Sequence, residues 1–141
     1  MSTEDNKALT RRGFDALNQR NWAAFYELIA PDFVLHDAST TIQGLEAYQQ
    51  FLSMYYTAFP DLHFTVEDLI AEGDRVVARY TASGTQQGAL MGIPPTGKQS
   101  TVTGILINRV VNDKTVEEWL NFDALGMLQQ LGVVPAPGQA S

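Results

Sequence analysis

The chain has 141 residues, a formal net charge of -7 and no cysteine. This length is typical of one domain with a sizeable core, and 45% hydrophobic with 18% charged residues indicates a globular protein. The acidic balance disfavours nucleic acid and anionic membrane surfaces as partners, because both require a basic footprint. The lack of cysteine excludes disulfides, a thiolate nucleophile and a cysteine zinc site. The start of the chain has no apolar signal core, and no run approaches a membrane span, so we expect a soluble cytoplasmic protein.

Three helices are predicted in the first part of the chain. Ser2 or Thr3 can cap a first helix that runs to about Arg20. Asn21 is a second N-cap, and Pro31 is predicted to end the short helix that follows it. The third helix closes at Pro60, and its apolar positions recur at amphipathic spacing: Leu45, Tyr48, Leu52, Tyr55 and Phe59. This aromatic stripe is more typical of a core than of a ligand site, although in a hollow fold it can serve as both.

The strands are predicted mainly in the second half. A short strand at 32–37 has Phe33, Leu35 and Asp37 on one face. Four longer strands follow as a meander, at 63–72, 75–87, 99–111 and from Lys114 to Asp123, with 88–97 as a loop. Helices followed by antiparallel strands predict an α+β fold, with helices on one face of a curved antiparallel sheet. We expect a single domain over 1–132 and a flexible tail at 133–141.

The last strand carries the candidate catalytic carboxylate. Alternation places four residues on one of its faces: Glu117, Trp119, Asn121 and Asp123. If that face lines a cavity, loss of hydration would raise the pKa of Asp123 and make it a better general base near neutral pH. Aspartate is also a preferred N-cap, so Asp123 can instead cap the helix that begins at Ala124. The two interpretations are compatible, because a cap can also point into the mouth of a pocket.

Other polar residues have two interpretations each. His36 is either a structural hydrogen-bonding residue or a pocket group, and His63 is predicted to be exposed at a strand start. The two histidines lie far apart in sequence without ligand spacing, so no metal site is expected. Arg79 either belongs to a solvated strand face or is buried beside Asp123 or Glu117, where it would lower the pKa of the carboxylate.

Several short motifs occur in a characteristic order along almost the whole chain. They are Phe59-Pro-Asp-Leu62, Gly84-Thr85, Gly92-Ile-Pro-Pro-Thr-Gly-Lys98, Glu118-Trp119, Asp123 and Gln130-Leu-Gly132. Together they resemble the SnoaL-like polyketide cyclase family, also called ester cyclases, of the nuclear-transport-factor-two-like superfamily. The resemblance implies a cone of helices and curved antiparallel sheet that encloses an apolar pocket. It also implies a homodimer through the outer sheet face.

The resemblance further implies an enzyme that closes a ring by an intramolecular aldol reaction, without metal or cofactor. The acid/base aspartate of the family falls on Asp123. Such a site requires a base, an apolar enclosure and a donor for the enolate oxygen. The candidates for the enclosure are Trp119, Tyr55, Phe59 and Met91, and the candidates for the donor are His36, Gln86, Asn121 and Arg79. Gln86 stands where many members have histidine, and an amide donates but does not exchange a proton near pH 7.

Two alternative functions stay open, because this fold carries many activities. The first is a non-catalytic module that holds a small apolar molecule in the same pocket. The second is an epoxide hydrolase or isomerase of the same superfamily, which an arginine between two carboxylates would suit. In either case a homodimer is expected, because both faces of the strand at 101–111 carry aliphatic residues and the helices cover only one of them.

Overall fold

The computed structural model describes residues 2–38 and 40–138, in which the chain forms four helices and six strands. The helices are α1 (Thr3–Asn18), α2 (Trp22–Glu27), α3 (Leu45–Ala58) and α4 (Ala124–Gln130). The strands are β1 (Ile29–Asp37), β2 (Thr40–Gln43), β3 (His63–Glu72), β4 (Arg75–Thr85), β5 (Gln99–Val111) and β6 (Lys114–Phe122). No helix in these ranges is long and apolar enough to cross a membrane. The last three residues of the predicted tail, 139–141, lie outside the described residues.

The helix starts follow from local hydrogen bonding. The Ser2 hydroxyl accepts a hydrogen bond from the N–H of Asp5 at 3.1 Å, and the Asp5 carboxylate accepts one from the N–H of Ser2 at 3.2 Å. This reciprocal pair is a capping box. Asn21 caps α2 by accepting a hydrogen bond from the N–H of Ala24 at 3.2 Å. Gly44 gives α3 no side-chain cap, so the apolar face of α3 must stabilise it by packing.

The six strands form one curved sheet in the order β2-β1-β6-β5-β4-β3. The chain makes the β1–β2 hairpin, crosses through α3 to the far edge, and returns by three antiparallel steps from β3 to β6. The last strand, β6, therefore lies beside β1 and runs in the same direction, so the β1–β6 pair is parallel. The sheet is mixed and stays open between its edges, where the sequence predicted antiparallel pairing throughout.

The early strand is longer than predicted. Helix α2 ends at Glu27, and Pro31 lies inside β1 instead of ending the helix. The β1–β6 register shifts between Ile29 and Val34, so the missing N–H of Pro31 falls where the ladder is irregular. A further short strand that was not predicted, β2, lies just before Gly44 and pairs with β1.

Alternation separates an inner and an outer face along each strand. On β5 the inner residues Val102 and Leu106 are buried, whereas Thr103 and Ile105 on the outer face are exposed. The inner face packs against the helices and forms the main core. Gly104 lies in the same inner row, and a Cβ atom there would stand 2.4 Å from Cζ and Oη of Tyr80 on β4. The missing side chain therefore gives the Tyr80 ring its place on the inner face.

Candidate functional site

An apolar cavity of about 140 Å³ lies between the helices and the inner face of the sheet. A single water molecule needs only ~10–15 Å³ of such space, so the cavity is far larger than a packing defect. Its walls come from all four helices and from the strands. They are rich in aromatic rings: Phe14, Phe25, Tyr48, Phe51, Tyr55, Tyr56, Phe59, Phe64, Tyr80 and Phe122. A cavity of this kind, mostly apolar with a few polar groups, is typical of a small-molecule site.

One carboxyl group lies inside this cavity. Glu118, on the inner face of β6, is only 8% exposed and lines the cavity with Leu120. Its register neighbours are Asn108 on β5 and Leu35 on β1. Burial, assisted by the negative charge of Asp37, raises the pKa of Glu118 to about 8. Glu118 is therefore mostly a neutral acid at pH 7 and becomes a carboxylate base slightly above it.

A second carboxyl group and several phenols surround Glu118. Asp37 is half-buried on the inner face of β1, opposite Leu120 in register, and loss of hydration raises its pKa. Burial and the charge of Asp37 raise the pKa of Tyr55 to about 12. Burial also raises the pKa of Tyr80, with further contributions from Glu118 and Asp37. These phenols stay protonated at physiological pH, so they can donate hydrogen bonds into the cavity.

Three residues of the cavity wall carry a buried oxygen without a partner. Among the described residues, Thr10 Oγ1, Tyr56 Oη and Asn108 Oδ1 are buried and make no hydrogen bond, and all three residues line the cavity. Buried side-chain oxygens are usually paired, so these three are locally unfavourable.

Asp123 lies at the start of α4, outside the cavity wall. It is exposed, and its carboxylate accepts a hydrogen bond from the N–H of Gly126 at 2.8 Å, so it is the N-cap of α4. Asn121 is also exposed. The side of β6 that lines the cavity carries Glu118, Leu120 and Phe122, which is the opposite side from the one that includes Trp119 and Asn121. The catalytic role of Asp123 stays a prediction.

His36 and Trp119 meet on the outer face of the sheet. Their rings stack with centroids 5.4 Å apart, and Arg75 lies 4.8 Å from the Trp119 ring. His36 Nε2 is 2.7 Å from the carboxylate of Glu117, which also accepts a hydrogen bond from Arg109 Nε at 3.1 Å. The hydrogen bonds from His36 and Arg109 lower the pKa of Glu117. This cluster is therefore a satisfied polar network on the side of the sheet away from the cavity.

Gln86 is fully buried and organises the loop between β4 and β5. Its Nε2 donates hydrogen bonds to the carbonyls of Gly88, Ile93 and Pro94, at 3.2 to 3.3 Å. Its Oε1 accepts from both the N–H and the hydroxyl of Thr96. The amide is thus fully engaged within the loop, which explains its burial without a place in the cavity wall. Met91, in the same loop, is 63% exposed.

Of the remaining candidates, Arg79 lies on the exposed surface of the sheet, whereas Tyr55 and Phe59 lie in the cavity wall. Arg79 is exposed and pairs with Asp68 at 2.7 Å, as expected for a solvated strand face. Tyr55 and Phe59 line the cavity, where α3 and the residue after it cover the sheet. Of the candidate site residues predicted from the sequence, these two line the cavity, together with Tyr48 and Leu52 from the same predicted stripe of α3.

The sequence contained a signal for the groups that were missed. Glu118 alternates with Leu120 and Phe122, and a carboxylate within an apolar row of a strand indicates a buried acid. Asn108 follows the same logic in the inner row of β5, between Leu106 and Val110. In the part of the chain that the structure describes, no cluster of three or more histidine, cysteine, aspartate or glutamate residues could hold a metal ion.

Comparisons of this chain with a family model and with solved structures agree on one family. Residues 8–131 match the family described as SnoaL-like polyketide cyclase. Among solved structures, IdmH from Streptomyces antibioticus, a candidate polyketide cyclase, is 32% identical; the match covers 90% of this chain and 98% of IdmH, with a TM-score of 0.78. AclR from Streptomyces galilaeus, a candidate hydroxylase, is 29% identical over 98% of this chain and 87% of its own, with a TM-score of 0.88. A candidate ketosteroid isomerase from Kribbella flavida is 25% identical over 86% of this chain and 79% of its own, with a TM-score of 0.69. No curated protein shows a significant match.

Proposed function

Because the chain belongs to the SnoaL-like polyketide cyclase family, we propose that it is a cofactor-independent enzyme that moves a proton on a small apolar carbonyl compound. The observation that carries this proposal is Glu118, a buried carboxyl group in an apolar cavity with a pKa of about 8. A general acid or base is most effective when its pKa lies near the working pH. The similarity to IdmH, a candidate polyketide cyclase, and to the Kribbella protein, a candidate ketosteroid isomerase, supports a reaction through an enolate.

In the proposed reaction, ionised Glu118 takes a proton from the carbon beside a carbonyl group. The electron pair of that C–H bond moves to the carbonyl oxygen, and a phenol such as Tyr80 donates a hydrogen bond to the resulting enolate. The enolate carbon then bonds to a second carbonyl carbon of the same molecule. The oxygen of that second carbonyl takes the proton held by Glu118, so the ring closes and the carboxylate is restored.

The family resemblance assigns the proton transfer to Asp123 instead of Glu118. Two conservative variants distinguish between these two residues. Glu118→Gln keeps the size of the side chain and removes the titrating group. Asp123→Asn also removes a carboxylate, but asparagine is as good an N-cap as aspartate, so α4 should be preserved. Glu117→Gln is the matched control, because Glu117 precedes Glu118 and faces the opposite side of the sheet.

The test measures exchange of α-protons for deuterium in β-tetralone, followed by proton NMR in deuterium oxide. This assay needs no knowledge of the natural substrate, since it reports the enolisation step alone. We expect the wild-type protein to accelerate the exchange, with a rate that rises through an apparent pKa of about 8. Loss of a positioned acid or base typically costs ~100-fold or more, so Glu118→Gln should lose most of the acceleration.

Asp123→Asn and Glu117→Gln should retain the acceleration. Loss in Asp123→Asn with retention in Glu118→Gln would assign the proton transfer to Asp123 and contradict the role of Glu118. A wild-type protein that binds β-tetralone without accelerating exchange would favour a binding module over an enzyme.

A further inference from the structure

The Glu118 carboxyl is open to the cavity. Glu118 is 8% exposed and lines the cavity. Its carboxyl makes no hydrogen bond with any described residue, and its oxygens are not among the fully enclosed ones that lack a partner. The small accessible surface of this carboxyl therefore faces the cavity. A molecule in the cavity can reach it directly, so Glu118 is a fixed point from which a ligand can be placed.

The cavity runs diagonally across the inner face of the sheet. On β4 its lining residues lie between Tyr80 and Gly84, whereas on β6 they lie between Thr115 and Phe122. Strand β5 stands between these two strands and lines the cavity from Ser100 to Asn108. A strand rises ~3.4 Å per residue, so this stretch of β5 corresponds to a cavity length of ~27 Å.

Glu118 marks one end of this diagonal. It stands opposite Asn108, the last residue of β5 that lines the cavity. Leu9, Asn108 and Thr115 form the wall at this end, and all three are buried. At the other end Leu62 and Ser83 are partly exposed. A ligand group beside Glu118 is therefore an end of the molecule, and the rest of the ligand extends toward Leu62 and Ser83.

The cavity is narrow for its length. Its volume of about 140 Å³ corresponds to about ten water-sized spheres at ~10–15 Å³ each. Spread over ~27 Å, ten such spheres form little more than a single row. The half of the cavity away from Glu118 has mainly apolar walls, which include Phe59, Ala82, Val102 and Met127. A space of this shape and polarity suits an extended hydrocarbon chain better than a compact ring system.

We propose that the cavity takes one extended hydrocarbon chain, with the reactive carbonyl group at the end of the chain beside Glu118. The substrate class is an unbranched ketone or diketone with an apolar tail. Neutral Glu118 donates a hydrogen bond to the carbonyl oxygen, and ionised Glu118 takes a proton from the neighbouring carbon. A ring closed by the aldol step forms from the first atoms of the chain, while the tail stays extended. This proposal rests on the proposed function, which it deepens by naming the substrate class.

The first test compares two ketones of the same composition, 2-dodecanone and 6-dodecanone, by equilibrium dialysis. Only the position of the carbonyl group differs, so their hydrophobicity is closely matched. We expect the wild-type protein to bind 2-dodecanone about tenfold more tightly, the value of one hydrogen bond to a buried group, because 6-dodecanone cannot bring its carbonyl to the closed end. Glu118→Leu should bind both ketones equally. A wild-type protein that binds both equally, or neither, would overturn the proposal.

The second test shortens the cavity. Ala82 lines it on β4 opposite Val102, well away from Glu118, and Ala82→Leu would fill space there. Each methylene group excluded from an apolar site lowers the affinity about fourfold, so Ala82→Leu should weaken the binding of 2-dodecanone about tenfold or more. The shorter 2-hexanone fits beside Glu118 and should bind this variant as it binds the wild-type protein.

The matched control is Thr103→Leu, which adds a leucine to the exposed outer face of β5 and should change the binding of neither ketone. An Ala82→Leu protein that binds 2-dodecanone like wild type, or that loses both ketones equally, would contradict an extended site. The comparison of the two dodecanones needs only the wild-type protein, so it decides the matter even if the variant does not fold.

Deuterium exchange in β-tetralone separates these results from the proposed function. Exchange without a preference for 2-dodecanone would refute the chain site alone. A preference for 2-dodecanone without exchange in either ketone would refute the enzymatic role alone.

Discussion

Replacing Glu118 by glutamine should make the protein more stable in alkaline solution. The pKa of Glu118 is about 8 in the folded protein, against 4.5 for an ordinary glutamate. Between these values the folded state holds a proton that the unfolded state has released. The contribution of Glu118 to the free energy of unfolding must therefore fall as the pH rises through this window. That contribution should be constant below about pH 4.5 and above about pH 8. The glutamine variant has no such proton and should lack this slope.

The size of the effect follows from the gap between the two pKa values. A gap of about 3.5 units corresponds to about 5 kcal/mol, at ~1.36 kcal/mol for each unit. Whole domains are typically stable by ~5–15 kcal/mol, so the ionised carboxylate of Glu118 would remove a large share of that stability. Because Glu118 is almost completely buried, solvent should screen little of this cost.

The assay is urea unfolding followed by circular dichroism, from about pH 5 to about pH 9. The stability of Glu118→Gln relative to wild type should grow by ~1.4 kcal/mol per pH unit and level off above about pH 8. Glu117→Gln should instead be less stable than wild type by a constant amount across this range, because the pKa of Glu117 is lowered and its stabilising contribution is fully present above the unfolded value of 4.5. Parallel pH profiles for wild type and Glu118→Gln would refute the reasoning.

Two further predictions concern the inner and outer faces of β5. Gly104→Ala should destabilise the protein by ~1–3 kcal/mol in thermal unfolding, because the added Cβ would lie 2.4 Å from the Tyr80 ring; an unchanged midpoint would mean that the ring moves aside freely. We also expect a homodimer through the outer face, where Ile105 is 50% exposed beside the half-buried Ile107. Ile107→Glu should yield a folded monomer in analytical sedimentation, and a wild-type protein that sediments as a monomer would refute that expectation.

Local features were predictable from the sequence, and the reason is that local interactions fix them. The hairpin turns at 73–74 and 112–113 and the amphipathic helix α3 depend on neighbouring residues, and the structure confirms them. The parallel β1–β6 pair joins residues about 80 positions apart, such as His36 and Trp119. No local pattern specifies such a pairing, which is why the sheet was expected to be antiparallel throughout.

The candidate site shows the same limit at the level of side chains. A period of two separates the faces of β6, but it does not say which face is inside. Trp119 is large enough to suggest a pocket, yet it is covered on the outer face by His36 and Arg75. The position of Gln86 was equally undecidable, because its five hydrogen bonds all reach into a loop of irregular shape.

Glu117 and Glu118 are adjacent in sequence and have opposite energetic roles. Hydrogen bonds from His36 and Arg109 make the charge of Glu117 favourable, whereas burial makes the charge of Glu118 unfavourable. The unpaired oxygens of Thr10, Tyr56 and Asn108 lie around the same cavity as Glu118. Proteins retain locally unfavourable groups chiefly where function requires them. Among the described residues, Glu118 and three of the four residues with an unpaired buried oxygen line one cavity, Asn6 being the exception. The polar network of the outer face is satisfied, and this contrast supports the cavity over the outer cluster as the reactive site.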